Sequence, residues 1–205
     1  TKNRQLLEDG CREQHLPCIS VIDPVVDALS NYLGAESIAR PGGQHTIDAD
    51  YFARIAAMQF ALAHDDGQSV DTIEHADIVL LGVSRTSKTP TSIYLANRGL
   101  KTANVPIVPG CPLPEKVFKL KYPLVIGLTK DAKRLVEIRR QRLKLLDHNE
   151  ETDYVNIASV SQEITDARKL FTKYNWPVIN VSRKSIEETA ATILQIYNSN
   201  RESEN

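Results

Sequence analysis

Residues 76–90 read Ala-Asp-Ile-Val-Leu-Leu-Gly-Val-Ser-Arg-Thr-Ser-Lys-Thr-Pro, and no other stretch limits the fold so tightly. The unbroken aliphatic run at 78–81 lies between polar flanks, which predicts a strand buried on both faces. A helix is predicted over residues 89–97, with Ile93, Ala96 and Leu100 on one side. The chain must therefore turn from strand to helix within Gly82, Val83, Ser84, Arg85, Thr86 and Ser87, and it places Lys88 and Thr89 at the helix mouth. Unpaired backbone N–H groups, the positive end of a helix dipole and a lysine together make a cradle for phosphate. In that reading Lys88 reaches the terminal phosphates, the Thr89 hydroxyl ligates magnesium and Arg85 adds a second cation. The usual phosphate loop, G-x-x-x-x-G-K-[ST], has glycine where this chain has Ser87, because a side chain resists the conformation needed there. The competing reading is an ordinary strand-to-helix turn with Lys88 in solvent.

The remaining pattern predicts an α/β fold with a mainly parallel sheet flanked by helices. Further strands are expected at residues 105–108, 124–128 and 178–181, and an earlier short one at 19–22. Helices are expected at residues 6–15, from Asp23-Pro24 to Gly34, and at 48–63, 131–146, 161–174 and 185–197. In the third of these, Phe52, Ile55, Ala56, Phe60 and Ala63 form the apolar stripe. Ser185 with Glu188 forms a capping box, and residues 201–205 read as a frayed polar tail. Arg40-Pro41-Gly42-Gly43 is the clearest break. The expected division is residues 1–40 as the remainder of an N-terminal domain and 41–205 as a nucleotide-binding domain. The only methionine is Met58, so the chain is expected to be a piece of a longer protein.

A formal net charge of −1 gives no field that would draw the chain onto nucleic acid or an anionic membrane. No apolar run is long enough to span a bilayer. The three cysteines, Cys11, Cys18 and Cys111, show no metal-ligand spacing and suit a reducing cytoplasm. Cys111 reads as a small loop residue between prolines, and Trp176 before Pro177 as a packing residue.

The run from Gly82 to Ser92, followed by Tyr94-Leu95-Ala96, resembles the signature of the dikinase regulatory proteins. So do residues 51–55 with His64-Asp65-Asp66-Gly67, Gly127-Leu128-Thr129 with Arg139-Arg140, and Trp176-Pro177-Val178-Ile179 with residues 185–190. The resemblance implies a P-loop kinase-like domain that tolerates a non-glycine at Ser87. It implies a bifunctional serine/threonine kinase and phosphorylase acting on a dikinase threonine. ADP would be the donor, inorganic phosphate would remove the phosphoryl group as diphosphate, and magnesium would assist. It also implies that residues 82–89 bind ADP and Lys88 stabilises the developing charge. The segment from Val105 to Pro114 resembles the branch that acts on pyruvate, phosphate dikinase more than the branch that acts on phosphoenolpyruvate synthase. A homodimer is also entertained.

The proton of the target threonine needs an acceptor, and Asp65 and Asp66, paired before Gly67, are the candidates, as base or as magnesium ligand. Their plainer role is a solvated helix-terminating turn. His45 and His64 are weighed as proton carriers or phosphate contacts against a structural role. Arg139, Arg140 and Arg142 form either a solvated face or a contact with phosphate or partner. Two other readings stay open, a small-molecule kinase or nucleotide hydrolase on the same loop, and a non-catalytic nucleotide sensor.

Overall fold

The computed structural model describes residues 2–34, 49–145 and 152–204. The predicted break at Arg40 to Gly43, and His45, lie outside the described residues. The chain divides into two compact units, Thr1–Ile47 and Asp48–Asn205. The first contains helices α1 (Lys2–Glu13) and α2 (Asp23–Leu33). Pro24 sits in the first turn of α2, and Gly34 closes it at φ 63°, its amide donating to the Ser30 carbonyl. No residue of α2 is buried. Residues 19–22 are not the predicted strand: Ile19, Val21 and Ile22 lie open to solvent in coil and bend. A strand needs a neighbour for its backbone groups, and the described residues of this unit offer none.

The second unit runs α3 (Ala49–Ala63), β1 (Ile78–Gly82), α4 (Lys88–Ala96), β2 (Thr102–Pro106), β3 (Leu124–Thr129), α5 (Ala132–Leu145), α6 (Ile157–Lys173), β4 (Val178–Asn180) and α7 (Ile186–Glu204). The sheet is wholly parallel in the order β2-β1-β3-β4, as the alternating pattern requires. Alternate residues of β1 serve opposite faces. Ile78 and Leu80 pack with Leu95 of α4 and Ala190 and Ile193 of α7. Val79 and Leu81 pack with Leu135 of α5 and Val160 and Phe171 of α6. All five residues of β1 are buried, because helices cover both faces and strands both edges. The chain leaves β1 for β2 on one side and returns to β3 on the other. The loops therefore diverge at the C-terminal ends of β1 and β3, where open parallel sheets form their binding crevice. No helix of the described residues is long and apolar enough to cross a membrane.

Several predicted boundaries move. The second strand is 102–106 rather than 105–108. Thr102 and Asn104 are buried and polar, so the run does not read as apolar, and Pro106 is tolerated because β2 is an edge strand. Helix α6 starts at Ile157, four residues before the predicted start, because the Asn156 side chain accepts from the amides of Ala158 and Ser159 at 2.9 and 3.2 Å. The Ser185–Glu188 capping box forms in both directions, at 2.8 and 3.1 Å. The helix it opens continues through Glu204, past the point where fraying was expected. On α3 the predicted stripe is rotated: Phe52 and Ile55 are exposed, while Ala57 and Ala61 are buried against Ala96 of α4. Small side chains let the two helices approach closely, and that outweighs the larger residues. Trp176 packs as predicted, stacking on Tyr174 with ring centres 4.9 Å apart.

Gly127, in β3, is where the sheet meets α6 most tightly. A Cβ there would lie 2.5 Å from the ring of Phe171, which is fully buried. Gly127→Ala should cost about 1–3 kcal/mol in urea unfolding through overpacking. Combined with Phe171→Leu, the loss should be smaller than the sum of the two single losses. Strict additivity would show that the ring does not set this spacing.

Candidate functional site

The strand-to-helix turn is built on a close approach and two left-handed residues. Gly82 ends β1 where a Cβ would stand 2.6 Å from the Leu128 carbonyl of β3 and 2.7 Å from Thr86 Oγ1. The Thr86 hydroxyl, itself buried, donates to the Val83 carbonyl at 2.9 Å and ties the loop to its own start. Arg85 lies at φ 71° and Ser87 at φ 63°, ψ 26°. Ser87 thus adopts the conformation for which the usual pattern places glycine. It makes no side-chain cap on α4, so the amides of that first turn are not satisfied from the N-cap side chain. Pro90 has no amide to leave unpaired. The Thr91 hydroxyl donates to the Ser87 carbonyl at 2.7 Å and fixes the turn from behind.

Lys88 is buried, and its Nζ donates to the Val83 carbonyl at 3.2 Å, arching over the loop. Loss of hydration lowers its pKa to about 8, with Arg139 and Arg85 adding to the fall and Asp66 and Asp65 opposing it. This is not the solvated lysine of the ordinary-turn reading.

Asp65 and Asp66 lie in a 3-10 turn directly after α3, with Asp66 left-handed at φ 49°, ψ 37°. The structure separates their surroundings. The Asp65 carboxylate accepts from the Thr89 hydroxyl at 3.0 Å and from the Asn104 side-chain amide, which also donates to Thr89 Oγ1 at 3.0 Å. Asp66 is exposed. Asn104, fully buried on β2, was not singled out from sequence; its signal was a polar residue between Ala103 and Val105 in a strand. His64 is held by structure: its ring stacks on Phe60 at 3.7 Å, and its nitrogens lie 2.9 Å from the Phe60 carbonyl and 2.8 Å from Thr72 Oγ1. Both ring nitrogens have protein partners, which favours the structural role over that of proton carrier or phosphate contact.

Arg139 departs furthest from expectation. It is not on a solvated face, being 1% exposed. Its guanidinium pairs with Glu163 of α6 at 2.7 Å and donates to the carbonyls of Tyr154 at 3.0 Å and Ser84 at 3.4 Å. The Tyr154 ring lies 4.4 Å from it, and the Tyr154 hydroxyl meets Ser84 Oγ at 3.1 Å. One side chain of α5 therefore holds the loop backbone, α6 and the turn before α6. The spacing carried a signal, since Leu135, Val136 and Arg139 fall on the one buried face of α5. Arg140 and Arg142 are exposed.

The residues present fit an anion and a divalent cation. Among the described residues, buried side-chain atoms without a hydrogen-bond partner include Arg85 Nε, Asn104 Oδ1, Thr129 Oγ1 and Arg139 Nε. All belong to the loop, to neighbouring strands or to the helix that holds the loop, which is where a ligand would supply partners. The described residues contain no group of three or more His, Cys, Asp or Glu able to hold a metal. A magnesium ion here would take oxygen from Asp65 and Thr89 and complete its shell with phosphate and water.

The model of the kinase/pyrophosphorylase family matches residues 1–194. The chain is 56% identical over 194 residues to a protein of Paramagnetospirillum magneticum, covering 95% of this chain and 62% of that one. It is 52% identical over 198 residues to one of Caulobacter vibrioides, covering 97% and 63%. With one of Rhizorhabdus wittichii it shares 53% over 195 residues, covering 95% and 71%. All three carry the provisional name pyruvate, phosphate dikinase regulatory protein. The chain thus spans just over three fifths of the length of the first two.

If the left-handed turn at Ser87 is the constraint, Ser87→Gly should stay within about 1 kcal/mol of the parent in thermal unfolding, relief of strain offsetting the entropy of glycine. Ser87→Val should lose about 1–2 kcal/mol or more, because a β-branched residue resists φ above zero. Equal stability of the two variants would contradict the observed backbone.

Proposed function

The chain belongs to the kinase/pyrophosphorylase family, and on that premise we propose that it phosphorylates a threonine of pyruvate, phosphate dikinase from ADP and removes that phosphate with inorganic phosphate. The single observation that carries the reading is the buried Lys88 arched over a left-handed loop at the mouth of α4, beside the Asp65–Thr89 pair. Phosphoryl transfer asks for position and charge neutralisation more than for covalent chemistry by the protein. The loop amides and Lys88 hold the two phosphates of ADP, with the β-phosphate toward the acceptor. Thr89 and Asp65 would hold magnesium, which would neutralise phosphate charge when bound.

With Asp65 engaged to Thr89 and Asn104, the exposed Asp66 is the better placed base. It takes the proton of the threonine hydroxyl as the threonine oxygen bonds to the β-phosphorus. The bond from that phosphorus to the bridging oxygen breaks, and AMP leaves. In the reverse task an oxygen of inorganic phosphate attacks the phosphothreonine. The bond to the threonine oxygen breaks, that oxygen regains a proton, and diphosphate leaves. Both directions place the transferred phosphoryl group at one site, so one lysine serves both.

Incubation with purified dikinase and either ADP or ATP tests this. Transfer from ADP, lost at least a hundredfold in both directions in Lys88→Ala, is the expected result. Asp66→Asn should lower kcat with little change in magnesium requirement, whereas Asp65→Asn should raise the magnesium concentration needed. Transfer from ATP to a small molecule, with the dikinase untouched, would sink the proposal.

The depressed Lys88 pKa adds a pH signature. Near pH 7 the ammonium is already formed, and ADP binding should take up almost no proton at this site. Above about pH 8 the free protein holds Lys88 neutral, and the arriving phosphates restore its charge, so uptake rises toward one proton and affinity falls. Calorimetry in buffers of different ionisation heat reads this directly. Uptake that persists unchanged in Lys88→Met would assign it to another group.

A further inference from the structure

A second surface opens beside the phosphate loop. Past the end of β2 the chain turns back at Val108-Pro109-Gly110-Cys111, where the Cys111 amide donates to the Val108 carbonyl at 3.1 Å and Gly110 sits at φ 76°. Proline second and glycine third is the pattern of a type II turn, which is preset before any partner arrives. Turn tips are normally polar, yet residues 108–112 are exposed and carry no charged or amide side chain. Between this turn and α6 lies a groove of about 880 Å³. Val83, Leu113, Phe118 and Leu170 give it apolar walls, and Val83 belongs to the phosphate loop itself.

The charge of the groove decides what fits it. Asp153, Glu163 and Asp166 line it, and no described lining residue is lysine or arginine. Glu163 is committed to Arg139, but Asp166 is paired only with exposed partners, Lys169 at 3.2 Å and Gln162 at 2.9 Å, which a better partner displaces at little cost. Such a lining repels phosphate and accepts apolar and cationic side chains. Resting on the function proposed above, we infer that this groove docks an extended segment of the dikinase, with an apolar side chain against Val108 and Leu113 and a lysine or arginine against Asp166 and Asp153. Continuity through Val83 delivers the acceptor threonine to the loop while the nucleotide holds the cationic side.

The test separates docking from catalysis. Binding of pyruvate, phosphate dikinase to the full chain is measured by surface plasmon resonance, and binding of ADP by calorimetry, for the parent, Val108→Arg and Asp166→Lys. Both positions are exposed, and thermal midpoints check folding; should one variant unfold, the other carries the test. The expected result is at least tenfold weaker dikinase binding with unchanged ADP affinity, and a matching rise in KM for the dikinase at unchanged kcat. Dikinase binding equal to the parent in a folded variant overturns the inference. So does a parallel loss of ADP affinity, which would give the groove to the nucleoside. If the parent binds the dikinase but transfers nothing from ADP, the proposed function fails, and the docking measurement still decides the groove.

Discussion

A guanidinium taken almost wholly out of water has to be neutralised where it lies, and the site is arranged around that requirement. The lone cost of burying Arg139 would be several kcal/mol, and the Glu163 carboxylate, two backbone carbonyls and the Tyr154 ring offset it together. Because one of those carbonyls is Ser84, satisfying the arginine also fixes the backbone of the loop. Because Glu163 comes from α6 and Arg139 from α5, the same pair clamps two helices over one face of the sheet. Its charge reaches Lys88 as well, adding to the desolvation that lowers the pKa of that amine to about 8. Packing and electrostatics of the site therefore share one interaction.

The backbone of the site is held against its own preference. Asp66, Ser69, Arg85 and Ser87 all have φ between 49° and 71°; the first two lie in the turns between α3 and β1, the last two in the loop after β1. At about 1–2 kcal/mol each, these four conformations amount to about 4–8 kcal/mol. That is comparable with the whole net stability of a domain, so the strain persists only where the surrounding structure holds these residues in place. Strand burial and loop geometry are two sides of one arrangement.

The parts of this arrangement that repeat along the chain were legible in the sequence. The buried run of β1, the helix after it, the third and fourth strands and the Ser185–Glu188 box all follow from periodicity and capping. What escaped was polar and buried. Asn104 lies in a strand that does not look apolar, and Arg139 on a helix face whose charges look solvated. Such residues are chosen by a partner distant in sequence, Asp65 for one and Glu163 for the other, and local pattern carries no record of that partner. The alanine face of α3 escaped for the opposite reason: close helix contact selects small side chains, which a hydrophobic stripe ranks below Phe52 and Ile55. The strand misread at 19–22 shows that apolar β-formers make a strand only where an edge is offered.

The residue that looked like a departure from pattern, Ser87, illustrates how the two kinds of constraint combine. A left-handed residue ends the loop whether or not it is glycine, because Thr91 binds its carbonyl and Lys88 is drawn back to Val83. The requirement is on the backbone, and it is enforced from several directions at once. The same economy separates the charges of the site. Lys88, Arg85 and Arg139 face the loop from within, while Asp153 and Asp166 stand on the groove beyond Val83. The two surfaces meet at Val83 and at the Arg139–Glu163 pair, whose carboxylate lines the groove while its guanidinium holds the loop.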